Sequence, residues 1–281
     1  MKNFILSHQK VGFIGAGSLA QALITGLLRE KKLNPDQIVV SNRTQGKVQK
    51  LQEQFKIISE TSNEAVIEKC EIVLLCVKPQ DLLQALEPLG PLFDKDQIVI
   101  SLAAGIPLNV LEKYLPQCRL ARVIPNTPAI IGQGVSGYLL NNDEDDYVAD
   151  VVEDLFTCLG SVLKTNDEDQ LTALMIACSC GTGFVFELMM YWQDWLEEHG
   201  FEKELARKMT EKVFAGAALM SQQSLSTLEN LQTQVASKKG VTEAGLQSMR
   251  EYEIERSLRI SFEKADLRNQ EISKKAEQNR S

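Results

Sequence analysis

Over the first 165 residues, short apolar runs rich in β-branched residues alternate with stretches whose apolar positions recur every three to four residues. A continuous or period-two apolar run reads as a strand, and a 3.6-residue period reads as an amphipathic helix. Strands are therefore expected at 10–15, 37–41, 72–77, 97–101, 119–124, 135–140 and 161–164, with a short one near Ile57 and Ile58. Helical patterns fill the stretches 18–31, 44–55, 79–88, 107–114 and 145–158. Alternation of this kind is the signature of α/β architecture, a parallel sheet covered on both faces.

From about Asn166 the strand signals stop and long helical patterns take over at 168–199, 202–222 and 242–265. The expected organisation is a doubly wound domain at 1–165, an all-α domain at 166–265 and a polar C-terminal tail at 266–281 that frays or is disordered. Leu171 to Trp195 is apolar over most of its helical circumference, more than packing on one small domain needs. It suggests a two-fold contact between subunits, so the helical domain is read as a dimerisation domain. The acidic run Asn141 to Asp146 reads as a solvated loop and helix cap.

Composition narrows the function classes. With 281 residues the chain exceeds the usual single-domain size, and 44% hydrophobic against 24% charged residues is ordinary globular composition. A net charge of −8 gives no basic footprint for nucleic acid. The N-terminal apolar run Phe4-Ile5-Leu6 is too short for a signal peptide, and no segment is expected to span a membrane. The six cysteines, at 70, 76, 118, 158, 178 and 180, lie mostly in apolar stretches and form no zinc pattern with the two histidines. They read as reduced, core-filling thiols of a cytoplasmic protein with no bound metal.

The chemistry begins at Val11 to Ala20, where a strand runs into a glycine turn and a helix. Gly15 permits the tight turn, Gly17 lets backbone approach a pyrophosphate, and Ala20 lets the helix pack closely on its strand. That is the phosphate turn of a Rossmann-type sheet, with the helix N-terminus facing the anion. The next strand ends in Asn42-Arg43 with no acidic residue, and Arg43 would attract the 2′-phosphate of NADPH that an Asp or Glu would repel. Further polar or small residues follow predicted strand ends: Asn63, Lys78-Pro79, Ala103-Ala104-Gly105, and the doubly proline-fixed loop Pro125-Asn126-Thr127-Pro128. In the helical half, Val235 to Leu246 reads as a loop opening a helix at Thr242, beside Lys238 and Lys239. Its free N–H groups could take a carboxylate, or it could be an ordinary helix start with a solvated lysine pair.

Taken in order, Ile14-Gly15-Ala16-Gly17, Ser41-Asn42-Arg43, Val77-Lys78-Pro79, Ala103-Ala104-Gly105-Ile106, Pro125-Asn126-Thr127-Pro128 and the Ser237 to Leu246 segment resemble the pyrroline-5-carboxylate reductase family, from about residue 11 to 265. The resemblance implies reduction of the cyclic imine 1-pyrroline-5-carboxylate to L-proline with NADPH or NADH, in a homodimer or an assembly of dimers. It assigns Ile14, Gly15, Ala16, Gly17, Ser18 and Leu19 to the pyrophosphate, Asn42 and Arg43 to the 2′-phosphate, and Asn63 to the adenosine. Cys76, Val77, Lys78, Pro79, Leu102, Ala103 and Ala104 would line the ribose and nicotinamide. Ser237, Gly240, Val241 and Thr242 would hold the substrate, the Thr242 hydroxyl meeting the imine nitrogen, with Glu168 a further substrate-side candidate. Hydride transfer to an imine needs mainly proximity, so neither His8 nor His199 is assigned a role.

Two departures from the family pattern are visible. Cys178-Ser179-Cys180-Gly181-Thr182-Gly183 stands where the family has Ser-Gly-Ser-Gly-Pro-Ala, and Lys239-Gly240 replaces paired glycines. If the first of the pair needs a positive φ, lysine is strained there by about 1 kcal/mol. These departures leave two alternatives beside proline synthesis: a reductase of a related cyclic imine, or a non-catalytic NADP-binding dimer. A hydroxyacid dehydrogenase fits less well, because Leu174 to Phe186 contains no lysine.

Overall fold

The structure, a computed structural model, describes residues 5–278. The chain runs β1 (Val11–Ile14), α1 (Ser18–Arg29), β2 (Ile38–Ser41), α2 (Gln45–Phe55), β3 (Ile58–Glu60), α3 (Asn63–Lys69), β4 (Ile72–Leu75), α4 (Pro79–Leu89), β5 (Ile98–Ser101) and α5 (Leu108–Tyr114). It continues through β6 (Arg119–Pro125), β7 (Gly134–Leu140), α6 (Asp146–Phe156) and β8 (Gly160–Lys164). The strands order as β3-β2-β1-β4-β5-β6-β7-β8. Every pair is parallel except β6 with β7. That exception follows from chain length, because the short 126–133 connection cannot carry a crossover back to the start of a parallel strand. The chain winds outward in both directions from β1 and β4, which opens a crevice at their carboxyl ends.

The inner strands are buried on both faces, as a covered parallel sheet requires. Phe13, Val40, Leu74 and Ile100 face one core with Leu23 and Leu27 of α1 and Val151 and Phe156 of α6. Ile14, Val39, Val73, Leu75 and Val99 face the other with Leu82 and Leu86 of α4 and Leu111 of α5. Each such side chain contributes about 1.5–3 kcal/mol by leaving water. Asp145, from the acidic run, caps α6 by accepting from the Val148 N–H at 3.2 Å and also pairs with Arg119.

Beyond the sheet the chain is helical: α7 (Glu168–Leu174), a π-helical turn (Met175–Cys180), α8 (Gly181–Glu198), α9 (Lys203–Gln223), α10 (Leu228–Val235), α11 (Val241–Glu251) and α12 (Ile254–Gln278). The single helix expected at 242–265 is two, broken where Glu253 takes φ 49°. The expectation that no segment approaches the length of a membrane span also needs correcting. Glu168–Glu198 forms 31 helical residues with a mean hydropathy of 1.7 in its most apolar window, long and apolar enough by length and composition. The apolar run continues through the π-helical turn without a helix break.

The chain forms two compact units, one of residues up to Cys180 together with those from Ala265 onward, the other Gly181–Lys264. The expected division at 165/166 therefore moves to Cys180, because Leu171, Met175 and Ile176 are buried in the sheet's second core. The expected polar tail at 266–281 is helical as far as Gln278, the last three residues lying outside the described ones. It folds because Ala276 is buried and Ala265 packs against the same core, offsetting a mostly charged helix. In the second unit, Trp192 of α8 meets Phe214 of α9 edge-on at 5.3 Å, and Phe184 meets Phe262 of α12 at 5.5 Å.

Candidate active site

Gly15 leaves β1 with φ +110°, where an ideal Cβ would lie 2.7 Å from the Cys76 carbonyl oxygen. Only glycine meets both conditions, and it sets β1 tightly beside the end of β4. Gly17 begins α1 without any side-chain cap, α1 carries no acidic residue in its first turn, and a Cβ on Gly17 would meet nothing within 4 Å. An uncapped helix start with open space at Gly17 leaves N–H groups unpaired within the helix, the arrangement a pyrophosphate requires.

Around that opening, Ile14, Gly15, Ala16, Gly17, Asn42, Arg43, Asn63, Cys76, Val77 and Lys78 border one cleft of about 540 Å³. Asn42 ties the turns together, its Oδ1 accepting from the Ala16 N–H at 3.1 Å and its Nδ2 donating to the Thr44 carbonyl at 2.9 Å. Ser41 Oγ donates to Asn63 Oδ1 at 2.8 Å, which fixes that amide at the cleft wall. Burial pushes the Cys76 thiol up to about 12, so it stays a neutral wall group.

Lys47, absent from the residues singled out by sequence, also borders the cleft. It lies in the first turn of α2, just after the Arg43 loop, and a cation at the start of the helix that follows the second strand is the signal that could have found it. Arg43, Lys47 and Lys78 outnumber Asp81, the one carboxylate among the residues bordering the cleft, so a chain of net charge −8 has a locally positive pocket. The uncapped helix, the open space at Gly17 and this cation set fit a phosphorylated dinucleotide.

Ser18 and Leu19 form the first turn of α1, and Leu19 packs against the core, so it can offer a ligand only backbone. Pro79 and Ala104 border a second hollow of about 910 Å³, with Met175, Cys180 and Ile272. Leu102 and Ala103 complete the turn after β5, where Leu102 N–H donates to the Leu75 carbonyl at 3.2 Å and Ala103 is buried. Gly105, at φ +74°, lies under α12: a Cβ there would sit 2.6 Å from Ile272 Cγ2, and Ser273 Oγ donates to its carbonyl at 3.3 Å.

Glu168, the further substrate-side candidate, is held within the first unit. One carboxylate oxygen accepts from the Leu108 N–H at 2.7 Å and the other pairs with the buried Arg122 guanidinium. The π-helical turn is anchored on the Pro-Asn-Thr-Pro loop, Asn126 Nδ2 donating to the Cys178 carbonyl at 3.3 Å and Ser179 Oγ to the Pro125 carbonyl at 3.4 Å.

Ser237, Gly240, Val241 and Thr242 lie together in the second unit, the cofactor cleft in the first. Gly240 begins α11 without a side-chain cap, and a Cβ on it would sit 2.8 Å from the Ser237 carbonyl oxygen. Lys239 takes φ 59°, the left-handed conformation that paired glycines would accept freely. Its N–H donates to Glu243, which holds the strained turn. Val241 and Thr242 are exposed at the helix start.

A dinucleotide cleft at the switch point of a doubly wound sheet, joined in one chain to a helical unit, defines an NAD(P)-linked oxidoreductase. Residues 10–105 match the family described as NADP oxidoreductase, coenzyme F420-dependent, and residues 168–272 match pyrroline-5-carboxylate reductase dimerisation. A pyrroline-5-carboxylate reductase of Pseudomonas aeruginosa is 32% identical over 269 residues, spanning 95% of this chain and 98% of that protein. The chain belongs to the pyrroline-5-carboxylate reductase family. A solved reductase of that name from Coxiella burnetii superposes with a TM-score of 0.88 at 27% identity, covering 94% of this chain and 98% of the other. A Plasmodium falciparum pyrroline carboxylate reductase with NADP bound shares the fold, with a TM-score of 0.83 at 21% identity, 95% of this chain and 99% of that one being covered.

Proposed function

We propose that this protein reduces 1-pyrroline-5-carboxylate to L-proline, with NADPH as the hydride donor. One observation carries the reading: a positive phosphate cleft with Arg43 and Lys47 and a separate, uncapped helix start at Gly240 occur in one chain matched almost end to end by reductases of this name. Arg43, with Lys47, is assigned to the 2′-phosphate, the Gly15 to Leu19 backbone to the pyrophosphate, and Asn63 to the adenosine side. The turns at Cys76 to Pro79 and Leu102 to Ala104 face the ribose and nicotinamide. The open N–H groups of α11 receive the substrate carboxylate beside Ser237, and the Thr242 hydroxyl hydrogen-bonds the imine nitrogen. Bound NADPH supplies the hydride, and because an iminium carbon is already electrophilic, the protein has only to hold the two reactants in line.

The exposed apolar residues of α8, Phe186, Met190, Tyr191 and Trp195, support a homodimer through this helix rather than a membrane span. The charged residues Glu187 and Asp194 within the same helix support the same choice. Six free cysteines support a reducing, cytoplasmic setting.

A second reading, a reductase of a related cyclic imine, is favoured by Lys239 at φ 59° and by the altered Cys178 to Gly183 segment. Steady-state turnover of purified protein with NADPH, run on pyrroline-5-carboxylate and on the six-membered-ring analogue, separates the readings. Preference for the five-membered ring is expected. Tight NADPH binding with turnover of neither imine would leave the fold standing and remove the enzyme.

A further inference from the structure

We propose that Arg122 and Glu168 are positioning residues that set the Leu102–Pro107 turn, and through it the nicotinamide half of the cofactor. Arg122, on β6, is among the largest fully buried side chains of the described residues, and its side chain is 2% exposed. It donates through Nη1 to Glu168, while its Nε is buried with no hydrogen-bond partner. Burial pulls the guanidinium below its ordinary pKa, and the Glu168 carboxylate opposes that pull. A buried ion pair of this kind is a poor way to stabilise a fold, since apolar residues of the same volume commonly do as well or better. Its position is more informative than its energy.

The Leu102–Pro107 turn is held by polar groups at both of its ends. At its entry Ser101, the β5 neighbour of Arg122 in the sheet register, is buried, and its Oγ accepts from the Ala103 N–H at 3.4 Å. At its exit the Leu108 N–H, one of the unsatisfied donors at the start of α5, is taken by Glu168 Oε1 at 2.7 Å. Arg122 holds the other Glu168 oxygen, so the ion pair couples the middle of β6 and the start of α7 to the residue that closes the turn. Leu102 to Ala104 lie between these ties, against the place where the reading above puts the nicotinamide.

The proposal rests on that cofactor reading, so its test separates the two halves of NADPH. Full-length Glu168→Ala, Glu168→Gln and Arg122→Met are compared with the parent for affinity toward NADPH, affinity toward 2′,5′-ADP (the adenosine half alone), kcat, imine KM and melting temperature. Glu168→Ala is expected to weaken NADPH or lower kcat about tenfold, with 2′,5′-ADP affinity unchanged. Glu168→Gln, which keeps an acceptor oxygen for Leu108, recovers a large part of that loss. Arg122→Met keeps its melting temperature but shows the same split between the two ligands. Parallel weakening of NADPH and 2′,5′-ADP would make the pair a general structural prop and overturn the proposal. A rise in imine KM alone would return Glu168 to substrate contact and overturn it equally. Should Glu168→Ala fail to fold, the Glu168→Gln and Arg122→Met comparisons carry the same decision. Absence of 2′,5′-ADP binding in the parent would instead strike the cofactor reading itself.

Discussion

The two compact units bury their side chains very differently. In the first, whole strands are buried, and the two faces of the sheet each carry a continuous core. In the second, Gly181–Lys264, the only buried residues are Ala206 and Thr210, while Trp195, Met190, Leu219 and Met220 are more than half exposed. A unit that hides so little of its apolar surface has not supplied its own stability. The first unit is closed by its own chain, and the second leaves its apolar face open. The binding chemistry follows the same line: the turns of the first unit's cleft are tied by Asn42 and by the Ser41–Asn63 pair, whereas Val241 and Thr242 are exposed at their helix start.

The largest effect should come from the second unit's apolar face. Met190→Glu combined with Trp195→Glu buries unpaired charge in any subunit contact through α8, at several kcal/mol per ion. Light scattering should then show loss of the dimer, together with loss of activity and a much lower melting temperature. An unchanged assembly would break the comparison. Arg43→Ala should weaken NADPH by about 10- to 100-fold, the range of a charge-assisted hydrogen bond, while NADH affinity stays within about twofold. Equal loss for both cofactors would remove the 2′-phosphate role. Thr242→Ala should lower kcat/KM about tenfold with NADPH affinity unchanged, as loss of a single hydrogen bond at the reacting nitrogen would. Full retention of activity would take the imine away from Thr242. The smallest effect is expected at Lys239→Gly, where relief of the left-handed backbone is worth about 1 kcal/mol, read as a small rise in melting temperature. A fall would mean that the lysine side chain contributes more than its backbone costs.

The first unit was legible in the sequence wherever the requirement is local. Gly15, Gly17 and Arg43 announce themselves because turn geometry, close approach and local charge act within a few residues, and the structure brings them to one cleft. Lys239 was legible for the same reason, its φ of 59° meeting the expectation attached to the missing glycine. Glu168 was not, since its partners lie 46 and 60 residues away and only the folded sheet brings them together. The C-terminal segment misled because charge dominates its composition. Its apolar contacts are a thin stripe, Ala265, Ile272 and Ala276, at the seven- and four-residue spacings of one helix face. The exposed face of α8 was readable as excess hydrophobicity, because a helix apolar nearly all round has more apolar surface than one neighbour covers.

The contact between α12 and Gly105 bears on how the protein is made. Ser273 reaches back across 168 residues of chain to the turn after β5. Sheet strands and phosphate turn emerge from the ribosome early, but the helix that seats Gly105 emerges only after the whole sheet and the second unit. Contacts so distant in sequence form late and slowly. A nascent chain released before Ala265 carries every glycine of the phosphate turn and still lacks the residues that lie against Gly105. The turn after β5 is thus finished only once the chain has been translated through α12, and a product terminated before Ala265 would be left with an unfinished one.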